Sequence, residues 1–151
     1  MSQNIGLNAT VLCRLTYVSR AKPELNSSDL KEILKQAQYN NQQNGITGML
    51  CFNKCFFLQT IEGARPELSS LLNKLSADNR HFDLQIIESV EIHSRHWSEW
   101  SMNYATPTKE NSHIYLKYST SEYFNPFLLS AEAAQDLLTE LSIAQIAKTR
   151  G

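Results

Sequence analysis

The stretch from Gly45 to Gly63, GITGMLCFNKCFFLQTIEG, limits the possible folds of this chain more than any other. It reads as two strands and a tight turn: Ile46 to Phe52, then Asn53-Lys54, then Cys55 to Glu62. β-branched and aromatic residues bounded by Gly at both ends favour strands. Asn-Lys is not the preferred Asn-Gly turn pair, so the hairpin rests on its strands. The second strand is apolar on both faces, with Cys55, Phe57 and Ile61 alternating with Phe56, Leu58 and Thr60. A strand buried on both sides sits inside a sheet covered above and below. One amide, Gln59, lies in the register of Phe57 and Ile61. Buried, it must find hydrogen-bond partners or cost roughly 1–3 kcal/mol. Taken alone, it reads as an amide bonded to another side chain or to the backbone.

At 151 residues the chain is long enough for one domain. A chain of this size buries about 68–70% of its unfolded surface, so its core needs no disulfide or metal. The formal net charge of −1 gives no electrostatic case for nucleic acid or an anionic membrane. No apolar run approaches ~18 residues, and no basic-then-apolar signal opens the chain. The expectation is a soluble cytoplasmic protein with no nucleic-acid or membrane partner. Three cysteines, Cys13, Cys51 and Cys55, lie in apolar contexts and read as buried free thiols. No further Cys or His stands at zinc-site spacing, so no metal is expected.

Taken in order, residues 1–9 are polar, and Val11 to Val18 reads as the first strand, with Cys13, Leu15 and Tyr17 on one face. Lys22 to Ser28 reads as a loop. Ser28 or Asp29 then offers an N-cap, with Glu32 completing a capping box with Asp29. The first helix is predicted from about Asp29 to Asn41, its stripe formed by Leu30, Ile33, Leu34 and Ala37. Asn40 and Asn41 continue that stripe. They either terminate the helix, as Asn does well, or aim a pair of amides into a pocket. After the hairpin, Pro66 suits a first helical turn, and Leu68, Leu71, Leu72 and Leu75 stripe a second helix ending near Asp78. Arg80 and His81 follow it, either binding an anion or lying in solvent. Leu84 to Ile92 reads as a fourth strand, 93–99 as a charged connection, and Trp100 to Tyr104 as a short fifth strand with Trp100 and Met102 on one face.

The resulting order, β-α-β-β-α-β-β, is an α+β, ferredoxin-like plan with a five-stranded mixed sheet and both helices on one face. The segment around Ser112 to Ser119 carries a weak helical pattern. From Ser130 to about Ala147 a clear helix is predicted, capped by Ser130, with Ala133, Leu137, Leu138, Leu141 and Ile146 on its apolar side. This tail is the expected cover for Phe56 and Leu58 on the other face. The division is therefore 10–105 for the main domain and 106–151 for a helical extension packed on its sheet.

Several motifs fall in order at compatible spacing: LTYVSRA around Tyr17, Asn40-Asn41 followed by NGITGML, FFLQTIEG, DNRH after the second helix, and WSM at Trp100 to Met102. Together they resemble the BLUF domain, the family of blue-light sensors using FAD, over roughly residues 10–105. LKYS, Leu116 to Ser119, and the helix after it resemble the short stand-alone PixD-type sensors. The resemblance implies a non-covalent FAD whose ring lies between the two helices on one face of the sheet. Tyr17 and Gln59 would be the photoactive pair, and Ile33 would line the ring slot. Asn41 would hold the flavin at C4=O and N3, with Asn40 assisting near C2=O. Arg80 and His81 would lie toward the ribityl phosphate, and Trp100 and Met102 would relay the signal.

The residue chemistry agrees with that implication. Excited flavin is a strong one-electron oxidant, a nearby phenol is a natural donor, and an amide carries both an acceptor and donors for a proton bridge. A rearranged Gln59 hydrogen bond would leave a red-shifted state that alters partner binding through a population shift. No enzymatic activity is expected. The implied partners are a downstream signalling protein bound in a light-dependent way and further copies of the chain. Two rivals share the fold plan. An RNA-binding module needs a basic surface and RNP-like aromatics, which are absent. A small flavin-dependent enzyme needs a nucleophile–base pair, and none is evident.

Overall fold

The computed structural model describes residues 10–98 and 103–150. The elements are β1 (Leu12–Ala21), α1 (Ser27–Gln43), β2 (Thr47–Phe52), β3 (Phe56–Ala64), α2 (Arg65–Ala77), β4 (His81–Glu91), β5 (Asn103–Ala105), α3 (Ser112–Lys117), a 3₁₀ turn (Pro126–Leu128) and α4 (Ala131–Arg150). They form one five-stranded sheet in the order β4-β1-β3-β2-β5, all antiparallel except the β2–β5 pair. This is the expected α+β, ferredoxin-like architecture.

The doubly apolar strand takes its predicted place. β3 lies at the centre of the sheet, and its alternating residues enter two separate cores. On one face Phe57 and Ile61 join Leu15, Leu50 and Phe52 beneath Leu34 of α1 and Leu68 of α2. On the other face Leu58 joins Val18, Met49 and Cys51 beneath Ile114 and Tyr115 of α3 and Ala134, Leu137, Leu138 and Leu141 of α4. The helical tail thus covers the face opposite α1 and α2. Phe56 is only half buried, at the margin, with its ring edge-on to Phe127 at 5.8 Å. β2 and β3 approach so closely at Gly48 that a Cβ there would stand 2.1 Å from the Thr60 carbonyl oxygen.

Several local expectations are corrected. β1 runs three residues past Val18 because it keeps pairing with β3 as far as Arg20 and with β4 as far as Ala21. The cap of α1 is Asn26, not Ser28 or Asp29. Its Oδ1 accepts from Asp29 N at 2.8 Å while Asp29 Oδ2 accepts from Asn26 N at 3.0 Å. The box therefore lies one turn earlier than the Asp29–Glu32 pattern. The helix stops after Gln43, where Asn44 caps it and Gly45 takes a left-handed φ of +66°. Asn40 and Asn41 do not end it.

The hairpin loop is three residues, 53–55, rather than Asn-Lys alone. Asn53 Oδ1 accepts from Cys55 N and Phe56 N, and Lys54 turns the chain with a φ of 78°. Cys55 is consequently exposed, unlike Cys13 and Cys51. β4 begins at His81, three residues before the predicted start, by pairing with Ala21. Described β5 is Asn103–Ala105, and the predicted strand residues Trp100 and Met102 lie outside the described residues.

Candidate functional site

A cleft of about 840 Å³, counting the part open to solvent, lies between α1, α2 and the sheet face formed by β1, β2 and β3. Its mostly apolar walls with a few convergent polar groups are the form that small-molecule and cofactor sites take. Ile33, Gln36, Ala37, Asn40 and Asn41 come from one face of α1, as their spacing of three, four, seven and eight residues requires. α2 contributes Leu71, Lys74 and Leu75 from its last two turns, and Asp78, Arg80 and His81 follow it. The sheet floor supplies Tyr17, Leu50, Phe57 and Gln59.

Tyr17 and Gln59 are direct cross-strand partners of β1 and β3, so the ladder itself sets them side by side. The Tyr17 hydroxyl donates to Gln59 Oε1 at 2.5 Å, and the two residues are only 3% and 5% exposed. Burial, reinforced by the negative charge of Asp78, pushes the Tyr17 phenol well above its ordinary range. At neutral pH it therefore holds its proton, and the proton points at an amide oxygen. Asn41 is buried beside them at 2% exposure, whereas Asn40 is exposed at the cleft edge.

Arg80 and His81 are held firmly. The Arg80 guanidinium grips Asp78 with Nε at 3.0 and 3.1 Å and Nη2 at 2.6 Å from its oxygens. That bonding holds the Asp78 carboxyl below the usual carboxylate range and raises the arginine. His81 Nε2 donates to the Leu75 carbonyl at 2.6 Å, since a carbonyl can only accept. Its Nδ1 faces the Ser19 hydroxyl at 2.7 Å. Both ring nitrogens are thereby committed to protein groups.

Tyr17, Ile33, Asn40, Asn41, Gln59, Arg80 and His81 all line this cleft. The expected relay residues Trp100 and Met102 lie outside the described residues. Gln36, Ala37, Leu50, Phe57, Leu71, Lys74, Leu75 and Asp78 also line the cleft, and the sequence pattern did not single them out as lining residues. The signal for Gln36 was present, since it stands three residues after Ile33 and four before Asn40. Leu71, Lys74, Leu75 and Asp78 are likewise spaced for one helix face, but the leucines read simply as core. The buried Trp97, 3% exposed within the supposedly charged connection 93–99, gave no periodic signal.

A slot with apolar walls from Ile33, Ala37, Leu50, Phe57, Leu71 and Leu75, amides at Gln36, Asn40, Asn41 and Gln59, and cations at Lys74 and Arg80 suits a flat conjugated ring with a polar edge and a phosphorylated arm. The family model for sensors of blue-light using FAD (BLUF) matches residues 12–103, and the chain belongs to that family. FAD is the cofactor by which the family is described.

The photoactivated adenylate cyclase subunit beta of Euglena gracilis is 34% identical over 98 residues, 64% of this chain and 11% of that protein. Subunit alpha of the same organism is 35% identical over 104 residues, covering 68% of this chain and 10% of its own length. The chain thus spans about a tenth of the length of the curated relatives it matches. Among solved structures, BlsA in its photo-activated state superposes with a TM-score of 0.78 at 29% identity, covering 86% of this chain and 94% of that one. The dark-state structure of BlrB, a BLUF protein, gives 0.76 at 29% identity, covering 90% and 98%.

Proposed function

We propose that this chain is a blue-light photoreceptor whose signal starts in the Tyr17–Gln59 pair. The observation that carries the reading is the 2.5 Å hydrogen bond from the Tyr17 hydroxyl to Gln59 Oε1 inside the cleft. Bound FAD supplies the absorption of blue light and an excited one-electron acceptor. Tyr17 is the electron donor. Once oxidised, its phenol is a strong acid, and the proton passes along the existing bond to the amide oxygen. When the electron returns, Tyr17 regains its proton and no net redox change remains. The Gln59 amide is left in a second arrangement, because an amide has a donor end and an acceptor end and either can meet the phenol. That second arrangement would change the hydrogen bonds Gln59 offers a bound ring and so shift its absorption to the red.

Asn41, with Asn40 assisting, holds the polar edge of the ring, and Ile33 packs along it. Lys74 and Arg80 would hold the phosphates of a bound FAD, while His81, tied at both nitrogens, braces α2 against β1. Trp100 and Met102 carry the change toward the tail. The sensor unit is 10–105, and the extension 106–151 presents the output to a downstream protein and to further copies of the chain in the cytoplasm. The chain acts as a sensor rather than a catalyst. No helix among the described residues is long and apolar enough to cross a membrane.

The test is Tyr17→Phe, which keeps the ring and removes the hydroxyl. The variant is expected to bind flavin and remain yellow while losing the light-induced red shift in its difference spectrum. A normal reversible shift in that variant would remove Tyr17 from the mechanism.

A further inference from the structure

On the face opposite the cleft, directly behind the Tyr17–Gln59 pair, lies a polar cluster inside an otherwise apolar core. Thr16 and Thr60 are cross-strand partners, one rung from Tyr17 and Gln59. Neighbouring residues of a strand point to opposite faces, so each threonine looks away from the cleft toward α4. Their hydroxyl oxygens are 3.0 Å apart, and both residues are wholly buried. Gln135, on the first turns of α4, places Nε2 at 3.0 Å from both. An amide nitrogen has two hydrogens, one for each hydroxyl.

The other end of the same amide is also engaged. Gln135 Oε1 accepts from Trp97 Nε1 at 3.3 Å. The backbone N–H groups of His96 and Trp97 donate to Glu62 Oε1 at 2.9 and 2.8 Å. Glu62 lies two residues beyond Thr60 on β3, on the same face, and is wholly buried. A second tie closes the cluster: the Thr139 hydroxyl donates to the Gln135 carbonyl at 2.7 Å and meets His96 Nε2 at 3.0 Å. Around it Ala134, Leu137, Leu138 and Leu141 are apolar and no more than 1% exposed. In such surroundings a partly broken polar network is costly, so it favours discrete arrangements over gradual ones.

We propose that Gln135 is the positioning residue through which α4 senses the state of the Tyr17–Gln59 pair, with Thr16 and Thr60 as the contacts it senses. Gln59 and Thr60 share one peptide bond, and so do Tyr17 and Thr16. A new arrangement of the first pair changes the load on the second across a single peptide unit on each strand. Gln135 needs both threonine oxygens at once, so a change in their separation weakens one of its bonds. Because its oxygen also holds Trp97, α4 and the connection 93–98 respond together. This route leaves β3 through its rear face, independently of Trp100 and Met102. It rests on the photoactive role proposed above for Tyr17 and Gln59.

The test measures two quantities on the full-length, FAD-loaded protein: the light-minus-dark absorption spectrum, and amide hydrogen exchange of residues 131–145 in dark and light. The wild type is expected to show both a red shift and a light-dependent exchange difference in α4. Gln135→Met, Trp97→Phe and the double variant Thr16→Val with Thr60→Val each remove relay bonds while nearly keeping shape. Each is expected to keep the red shift and to lose at least about twofold of the exchange difference, the least that one net hydrogen bond supplies. Any one of them that does not fold leaves the other two to decide.

An undiminished exchange difference in the folded variants overturns the relay, as does a wild type that red-shifts with no change in α4. A wild type with bound FAD and no red shift overturns the photoactive reading instead, and the relay with it.

Discussion

At the scale of single residues, the depth of Tyr17 has a consequence in alkaline solution. Burial raises its phenol above the ordinary value of about 10. The stability its neutral form contributes is fully present below pH about 10 and is lost as pH rises from there through the folded value. The chemical-denaturation midpoint should therefore fall with rising pH above that point, and fall less in Tyr17→Phe. Meanwhile the donor keeps its proton in the native protein. The red-shift amplitude should stay level as pH passes the ordinary tyrosine value of about 10, measured by difference spectra across a titration. An amplitude that drops with an ordinary phenol titration would show that water reaches the hydroxyl. Gln59 stood out in the sequence as an amide in an apolar register and Asn41 as an amide extending an apolar helical stripe, whereas Tyr17 was singled out only through the resemblance to the family. Asp78 was not legible as a partner, since an acid after a helix reads equally well as a solvated cap. Only the fold turns the Arg80 guanidinium back onto it.

At the scale of elements, β3 could be placed at the sheet centre because both of its faces were apolar, and that pattern also required α4 behind it. Helix ends were less legible. Asn26, Ser27, Ser28 and Asp29 all cap well, and only the reciprocal bonds between Asn26 and Asp29 decide among them. The connection 93–98 was illegible for a different reason. Its order comes from distant groups: Arg95 Nη1 bonds Thr47 Oγ1 at 2.7 Å and the Glu62 carbonyl at 2.9 Å, and Nη2 bonds the Gly45 carbonyl at 2.7 Å. No local periodicity announces such anchors. The cover supplied by α3 and α4 makes a direct expectation. Truncation after Ala105 uncovers Val18, Met49 and Leu58, each no more than 1% exposed. Fully burying such a side chain contributes about 1.5–3 kcal/mol, so three put roughly 5–9 kcal/mol at stake against a net stability of about 5–15 kcal/mol. The shortened protein should aggregate or unfold at lower denaturant, measured by light scattering and urea titration. A monomer as stable as the full chain would mean that α3 and α4 contribute little to the sheet.

At the scale of the whole molecule, the sheet separates the cleft from the face covered by α3 and α4, and ligand binding should be felt in global stability. Saturating FAD at 100 times its dissociation constant should add about 2.7 kcal/mol, or roughly 5–11 °C in Tm for a chain of this size. Asn41→Ala removes a buried amide from the cleft and should reduce that gain by about 1.4 kcal/mol for each tenfold loss in affinity, read from thermal scans with and without FAD. An unchanged gain would place the ring edge elsewhere. The cleft also bears on how such a chain can be recombined, because all of its walls come from residues between Tyr17 and His81. On the reading proposed above, a crossover in the gene downstream of Ala105 would exchange one response for another while leaving the cleft and its sheet whole. If the proposed division holds, selection could tune colour and lifetime in one stretch and choice of listener in the next. The exceptions include Thr16, Thr60 and Glu62, whose side chains sit on the cleft's own strands yet hydrogen-bond the connection 93–98 or α4. A transplanted tail must therefore inherit a side chain that answers the two threonines.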